Sequence, residues 1–280
     1  MKTGALARHF LLILSILFLA GALISCQADI EVHFLDVGQG DAALVICDGE
    51  AMLIDGGGSS CGQFIYAYIR ERVDELVYMI STHPHADHAG GLAAALNAVP
   101  VGVVFSPVGS WTTKVFENVV KYAEMQGTPI VCPDEGDVFT LGGSEITVLH
   151  CWPDAWETND MSIVLRLDYG DTSFLFTGDA EYMSEYMMID SGWELKADVL
   201  KVGHHGSDTS STQEFIDAVQ PDYSVISCGK NNSYGHPAEE VLERLKGSIV
   251  LRTDELGTII MLSDGENIWI DKWETVKETR

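Results

Sequence analysis

The sequence predicts an α+β fold: a sandwich of two sheets with helices on the outside. Three observations predict it. Two strand-rich halves, each with its own helices, run from residue 30 to 273 without a linker, low-complexity tract or charge block. The apolar runs end in short turns rich in Gly, Asp and His, where a rigid scaffold usually presents function. At 280 residues and 46% hydrophobic content, the chain can bury a core of that size.

The first 25 residues stand apart from that domain. "MKTGALARH" is a short basic head, and "FLLILSILFLAGALI" is an apolar run shorter than a confident membrane span. "LISC" closes it with small residues before Cys26, an ending that resembles a bacterial lipobox. The expectation is a signal peptide over 1–25, cleavage before Cys26, lipidation of Cys26, a tether over 26–29 and one domain over 30–280. Lipid chains there would anchor the protein to the outer face of a membrane without spanning it. An uncleaved anchor and a plain secretory signal are the alternatives.

From residue 30, "IEVHFLDV", "AALVICD" and "AMLIDGG" read as strands separated by Gly and Asp turns. "GQFIYAYIRERV" has helical spacing, "LVYMIST" is a buried strand, "GGLAAALNAV" a helix and "VGVVFSP" a strand. "TKVFENVVKYAEMQG" is a helix that Gly127 stops. The second half repeats the order. "SEITVLHCW", "SIVLRLDYG" and "TSFLFTGD" are strands, "AEYMSEYMMIDSG" a helix, and "ADVLKVGHHG" a strand. "STQEFIDAVQ" and "AEEVLERLKG" are helices; "YSVISCG", "SIVLRTDELGTIIMLSDG" and "NIWIDKW" supply further strands.

The formal charge is −26; losing residues 1–25 removes Lys2 and Arg8 and no acid, giving −28. Such a surface repels polyanions at long range and argues against non-specific DNA binding. Phosphate chemistry stays open, because bound divalent cations would dominate the local field. Cys47, Cys61, Cys132, Cys151 and Cys228 contain no C-x-x-C pair, so a structural zinc knuckle is not expected. A Cys47–Cys61 disulfide is conceivable. No P-loop, dinucleotide fingerprint or G-x-S-x-G element is present.

Chemistry concentrates in "STHPHADHAGG", residues 81–91, which holds three of the nine histidines. On a loop leaving a strand, His83, His85 and Asp87 alternate and can converge while His88 points elsewhere, so the four divide into two adjacent sites. One divalent cation needs three or four N or O ligands, so distant segments must contribute. "FLFTGDAE" offers Asp179 and "LKVGHHGSDTS" offers His204 and His205, each at the end of an apolar strand. A carboxylate there can bridge two ions and an imidazole can complete the second. Taken alone, Asp179 would be a helix cap; the density of the histidine cluster is what makes it a ligand.

The pattern H-x-H-x-D-H-x-G-G, with a later T-G-D and V-x-H-H-G-S, resembles the metallo-β-lactamase superfamily over roughly residues 30–273. "FLDVGQGDAALV", "LIDGGG", "NDMSIVLRLDYGDTSFLFTGD", "ADVLKVGHHGS" and "NNSYGHP" look like the extracellular C-terminal domain of ComEC competence proteins, which is fused there to a membrane channel. The resemblance implies an αββα sandwich of two mixed sheets, two divalent ions, Zn²⁺ or Mn²⁺, and hydrolysis of phosphodiester bonds, with nucleic acid as substrate in DNA uptake. It implies that His83 and His85 hold the first ion, that Asp87 and His88 hold the second, that Asp179 bridges and that His204 completes the second. The motif contains both His204 and His205; His204 is taken because it comes first off the strand. Many members place a third histidine for the first ion just before the T-G-D strand. Here "ETNDMSIVL" carries Asn159 or Asp160 instead, and oxygen ligands favour harder cations.

Within this reading Asp87 orients the attacking water, and His205 or His236 protonates the leaving oxygen. Each histidine has a plainer reading: His205 as a hydrogen-bond partner of a ligand, His236 as a turn residue. Ser81, Thr82 and Ser207 would donate to phosphate oxygens. Asp55 would orient His83 or His85, or shape its turn. Asp36 and Gln39 line the cleft or form the turn. Trp111, Trp152 and Trp156 lie in loops and would stack on bases or cover the core. The competing substrates are a phosphorylcholine-type ester, a lactone or a β-lactam. A non-catalytic lipid-anchored binding module is the remaining class.

Overall fold

The computed structural model describes residues 29–274, with the side chains of 272–274 excluded. The signal segment 1–25, Cys26 and residues 27–28 of the tether lie outside the described residues, as do 275–280.

Two mixed sheets pack face to face. The first contains β1 (Ile30–Phe34), β2 (Ala43–Cys47), β3 (Glu50–Ile54), β4 (Leu76–Ile80), β5 (Val101–Phe105) and β6 (Ile130–Val131). On its outer face lie α1 (Gly62–Arg72), a short α2 (Ala86–Ala89), α3 (Leu92–Ala98) and α4 (Lys114–Gln126). The second sheet contains β7 (Val138–Leu141), β8 (Ser144–His150), β9 (Val164–Tyr169), β10 (Thr172–Phe176), β11 (Val199–Lys201), β12 (Tyr223–Ile226) and β13 (Ile249–Arg252). Its outer face carries α5 (Tyr182–Ser191), α6 (Gln213–Val219) and α7 (Glu239–Arg244). A helical turn α8 (Thr253–Leu256) leads to β14 (Thr258–Ser263) and β15 (Ile268–Glu274).

Strand order is β15-β14-β1-β2-β3-β4-β5-β6 in one sheet and β13-β12-β11-β10-β9-β8-β7 in the other. The last two strands therefore return to the first sheet, where Ile30 pairs with Ser263. Two sequence-local halves had suggested otherwise. "SIVLRTDELGTIIMLSDG", read as strand, is likewise interrupted by α8. Short β6 and β7 were not foreseen.

Pleating explains why the central strands are apolar throughout. In β2, Ala43, Val45 and Cys47 enter the core between the sheets, and Leu44 faces the helices. In β10, Phe174 and Phe176 point inward and Leu175 outward. Phe34 and Phe176 stack across the sandwich with ring centroids 6.0 Å apart. Burying one such ring contributes roughly 1.5–3 kcal/mol. At the start of α4 the Thr113 hydroxyl accepts from the Phe116 N–H at 3.3 Å, and Gly127 stops the helix with φ 74°. With β4, β10 and β11 placed centrally, the loops leaving them meet at one edge of the sandwich.

Candidate metal centre

Three strand-exit turns build the cluster. Leaving β4, Thr82 and His83 are buried, and His85 has extended backbone (φ −68°, ψ 152°) before α2 carries Asp87 and His88. Leaving β10, Gly178 (φ 52°) turns the chain so that Asp179 is buried. Leaving β11, His204 and His205 both take left-handed backbone (φ 47° and 56°), a costly conformation for two consecutive non-glycine residues. The Ile163 N–H donates to the Thr82 carbonyl at 2.9 Å, joining the two sheets beneath the cluster.

Hydrogen bonds behind the rings decide which nitrogens face inward. Asp55 Oδ1 accepts from the Thr82 N–H at 2.9 Å, and its Oδ2 accepts from the Thr82 hydroxyl at 2.7 Å and lies 2.8 Å from His88 Nδ1. In the neutral ring His88 Nδ1 thus carries the hydrogen and Nε2 the lone pair that a metal would take. His205 Nδ1 donates to the Asp41 carboxylate at 3.1 Å and the Ser227 carbonyl at 3.0 Å, again freeing Nε2. The Thr82 hydroxyl has given its hydrogen to Asp55, so its oxygen accepts from His83 Nδ1 at 3.1 Å. His83 Nε2 then faces His85 Nδ1 at 3.0 Å.

Asp179 stands at the convergence of these nitrogens. Its Oδ2 lies 3.1 Å from His88 Nε2, 3.5 Å from His205 Nε2 and 3.8 Å from His83 Nε2. Asp87 Oδ2 is 3.4 Å from His205 Nε2. His88 Nε2, His205 Nε2 and Asp179 Oδ1 are buried without a hydrogen-bond partner. Buried polar atoms left unpartnered at this density are costly unless protons or a metal cation join them. The imidazole and carboxylate set fits a divalent transition metal.

Electrostatics agree. Burial alone would lower the His88 pKa, yet Asp179 and Asp55 hold it well above the ordinary value. Burial opposes Asp179 and Asp41 at His205 too, and the carboxylates raise it to about 9. Asp179 and Asp87 are held below the carboxylate range despite burial, by His205 and His88. Burial and the neighbouring His88 push His83 well down, keeping it neutral. A centre that draws protons onto two buried imidazoles is one where positive charge is stabilised.

Asp41, His88, Asp179 and His205 each offer a ligand atom within 4.8 Å of the others. Asp41 is nonetheless engaged elsewhere: its Oδ2 is 2.6 Å from the ammonium of buried Lys201 and its Oδ1 faces His205 Nδ1. Lys201 and His205 hold its pKa below the ordinary value against burial. It orients His205 rather than facing the orphaned nitrogens, whereas Asp87 Oδ2 faces them directly.

Several sequence expectations need correction here. His205, and not His204, enters the buried cluster. His204 is partly exposed at the rim, its Nδ1 at 3.1 Å from both Glu181 and Thr209, its Nε2 3.9 Å from Asp179. The reason is the pair of left-handed residues, which turns the second ring inward. Asp55 orients His88 rather than His83 or His85. Neither Asn159 nor Asp160 reaches the cluster: Asn159 donates to Glu181 at 3.0 Å, and Asp160 accepts from Ser184 at 2.7 Å and the Glu181 N–H at 3.1 Å. Ser162 lies behind the His83 ring instead, its hydroxyl 3.3 Å from Nδ1 and accepting from the Asp179 N–H at 3.1 Å. Ser81 donates to the His83 carbonyl, and Ser207 pairs with Thr209 at 3.0 Å, so neither is turned to a substrate.

His236 stands at the rim with a buried, unpartnered Nδ1, its ring 5.6 Å from that of His204. Asp36 and Gln39 shape the loop, accepting from Gly38 at 3.1 Å and from Gly229 at 3.0 Å. Trp111 packs on the helix-side core, while Trp156 is 94% exposed. Cys47 and Cys61 are not joined: Cys47 is in the inter-sheet core, and the Cys61 thiol donates to the Val37 carbonyl at 3.1 Å. Sequence reasoning missed Asp41, Lys201, Glu181 and Ser162. "GQGD" held a signal for Asp41, a carboxylate directly after a double-glycine turn; for Lys201 there was none.

The sequence profile described as the metallo-beta-lactamase superfamily matches residues 35–230. ComE operon protein 3 of Bacillus subtilis is 36% identical over 251 residues, which are 82% of this chain and 32% of that protein. Recombination protein 2 of Haemophilus influenzae is 32% identical over 77% of this chain and 26% of its own length. Competence protein ComA of Neisseria gonorrhoeae is 31% identical over 83% and 32%. The chain thus spans about a third or less of the curated relatives it matches. Among solved structures, the metallo-beta-lactamase fold protein YhfI from Bacillus subtilis superposes with TM-score 0.55 at 11% identity, over 86% of this chain and 99% of that one. A diphosphatase from the PhnP family gives 0.50 at 16%, over 84% and 98%. At such identities these two show the fold.

Proposed function

The chain belongs to the metallo-beta-lactamase superfamily, and from that premise we propose that it is a metal-dependent phosphodiesterase acting on DNA outside the cell. The carrying observation is the set of orphaned buried atoms, His88 Nε2, His205 Nε2 and Asp179 Oδ1, converging beside Asp87, His83 and His85. In this reading His83 and His85 would hold one divalent ion and Asp87, His88 and His205 another, with Asp179 available to both; Zn²⁺ or Mn²⁺ suits the donor set. Two such ions supply Lewis acidity, lowering the pKa of water to near neutrality and neutralising phosphate oxygens.

The chain's own residues do the positioning. Asp55 and Asp41 fix the tautomers of His88 and His205, and Ser162 supports both His83 and the Asp179 backbone. Asp87, half exposed, faces the open side and orients the attacking water. His205, being committed to the cluster, gives up the general-acid role expected for it. The rim imidazoles of His204 and His236 hold the proton for the leaving oxygen; such a group contributes about 10²–10⁴-fold.

Two of the curated relatives carry recombination and competence in their names, which supports a DNA substrate, and the likeness in fold to a PhnP-family diphosphatase is in keeping with phosphate chemistry. The net charge of −26 favours a small diester instead, as a second reading. Lipidation at Cys26 would hold the domain at the outer membrane face; among the described residues no helix is long and apolar enough to cross a membrane. Loss of acyl labelling in Cys26→Ala tests the anchor.

The activity test uses protein of defined Mn²⁺ or Zn²⁺ content, with bis(p-nitrophenyl) phosphate, labelled single-stranded DNA, a lactone and a β-lactam. The reading predicts diester and DNA cleavage that EDTA and Asp87→Ala abolish. Diester turnover with DNA untouched selects the small substrate; turnover of lactam or lactone alone moves the assignment. Metal-loaded protein inert toward the whole panel indicates a binding module.

A further inference from the structure

Two cysteines outside the cluster are brought together by the fold. Cys132 follows β6, the edge strand of the first sheet, and Cys151 follows β8 of the second. Their Sγ atoms are 3.9 Å apart. Among the described residues no other pair of thiols makes such a contact: Cys61 donates to Val37 and Cys228 to Asp254 at 3.3 Å. The approach is held from both sides. Glu135, three residues beyond Cys132, is 2.9 Å from His150 Nδ1 and accepts from the Cys151 N–H at 3.4 Å. Cys132 is exposed and Cys151 buried, the arrangement of an entry thiol with a resolving thiol behind it.

We propose that Cys132 and Cys151 form a dithiol–disulfide pair, closed by exchange with a small-molecule or protein disulfide, that staples one sheet to the other at the root of segment 151–161. That segment leads to Ser162 and so to His83. The Cys132 thiol, accessible to solvent, attacks the external disulfide, forming a mixed disulfide and releasing one thiol with the proton. Cys151 then attacks the Cys132 sulfur, the protein disulfide forms and the second external thiol leaves. The pair loses two electrons and two protons, and the external disulfide is reduced to two thiols. Burial and the adjacent Cys132 sulfur hold the Cys151 thiol above its ordinary range, which leaves the first attack to Cys132. Closing 3.9 Å to a bond of about 2.05 Å takes rotation of the exposed Cys132 side chain.

The test equilibrates purified full chain with glutathione disulfide, alkylates the remaining thiols and maps linked peptides by mass spectrometry. The expected product joins Cys132 to Cys151, reverts with dithiothreitol and raises Tm by about 5 °C over the reduced chain. Cys132→Ser, at an exposed position, should match the reduced parent in Tm and show neither bridge nor oxidative Tm gain. Full alkylation of both thiols after equilibration, or arrest at a glutathione adduct on Cys132, overturns the proposal. So does an oxidative Tm gain that persists in Cys132→Ser.

Discussion

His204 and His205 are neighbours in sequence and part company in space, which makes them a sensitive pair for mutation. Replacing His205 by Ala removes an inward Nε2 and should weaken metal binding beyond the about 10–100-fold typical of residues one step removed from a metal. His204→Ala should leave metal stoichiometry unchanged and lower turnover; competition titration with a chromogenic chelator separates the two outcomes. Lys201→Met strands the buried Asp41 carboxylate and releases its hold on His205. The expectation is about a 10–100-fold loss of metal affinity and a stability loss of about 3–5 kcal/mol, read by titration and denaturant unfolding. The pH dependence of loading follows from the same contacts. In metal-free protein His205 titrates at about 9 and His88 is raised as well, so both are protonated at neutral pH and must lose that proton to bind. Metal affinity should therefore fall as pH drops below 9, about tenfold per unit for each proton released; a pH-independent titration contradicts it. The H-x-H-x-D-H run was legible because its donors lie in one loop. Asp41 was not, because its role exists only through a contact with His205, 164 positions away.

Elements were read well where periodicity or a stop signal was strong, as in α4 with Thr113 before it and Gly127 after it. Short strands such as β7, with its largely solvent-facing pattern, offered little apolar alternation. Three-residue β11 and the turn after it show the same limit: "ADVLKVGHHG" reads as a strand running into its histidines, yet the chain stays extended only through Val202 and then coils from Gly203 through His204 and His205. Loop 81–91 is fixed by close backbone approach. A Cβ on Gly91 would lie 2.1 Å from the Gly56 carbonyl oxygen, a backbone atom that cannot swing aside. Gly91→Ala should cost about 1–3 kcal/mol or more and misplace His88, whose carbonyl accepts from the Gly56 N–H at 2.7 Å. A lower Tm together with weaker metal binding is the expected signature; an unchanged Tm contradicts it.

At the scale of the molecule, alternating strands and helices sufficed for the sandwich but not for its connectivity. Pairing of β1 with β14 joins residues more than 200 positions apart, and no local pattern encodes such a partner. That closure also explains why the site is at one edge: central strands of both sheets end there, and each contributes one turn. Everything functional depends on those turns enclosing cations. X-ray anomalous scattering at the metal edge, on crystals of protein grown with Mn²⁺ or Zn²⁺, tests this most directly. Two peaks are expected, one among His83, His85 and Asp179 and one among Asp87, His88, His205 and Asp179. An absence of anomalous density at this cluster under metal-replete conditions would contradict it.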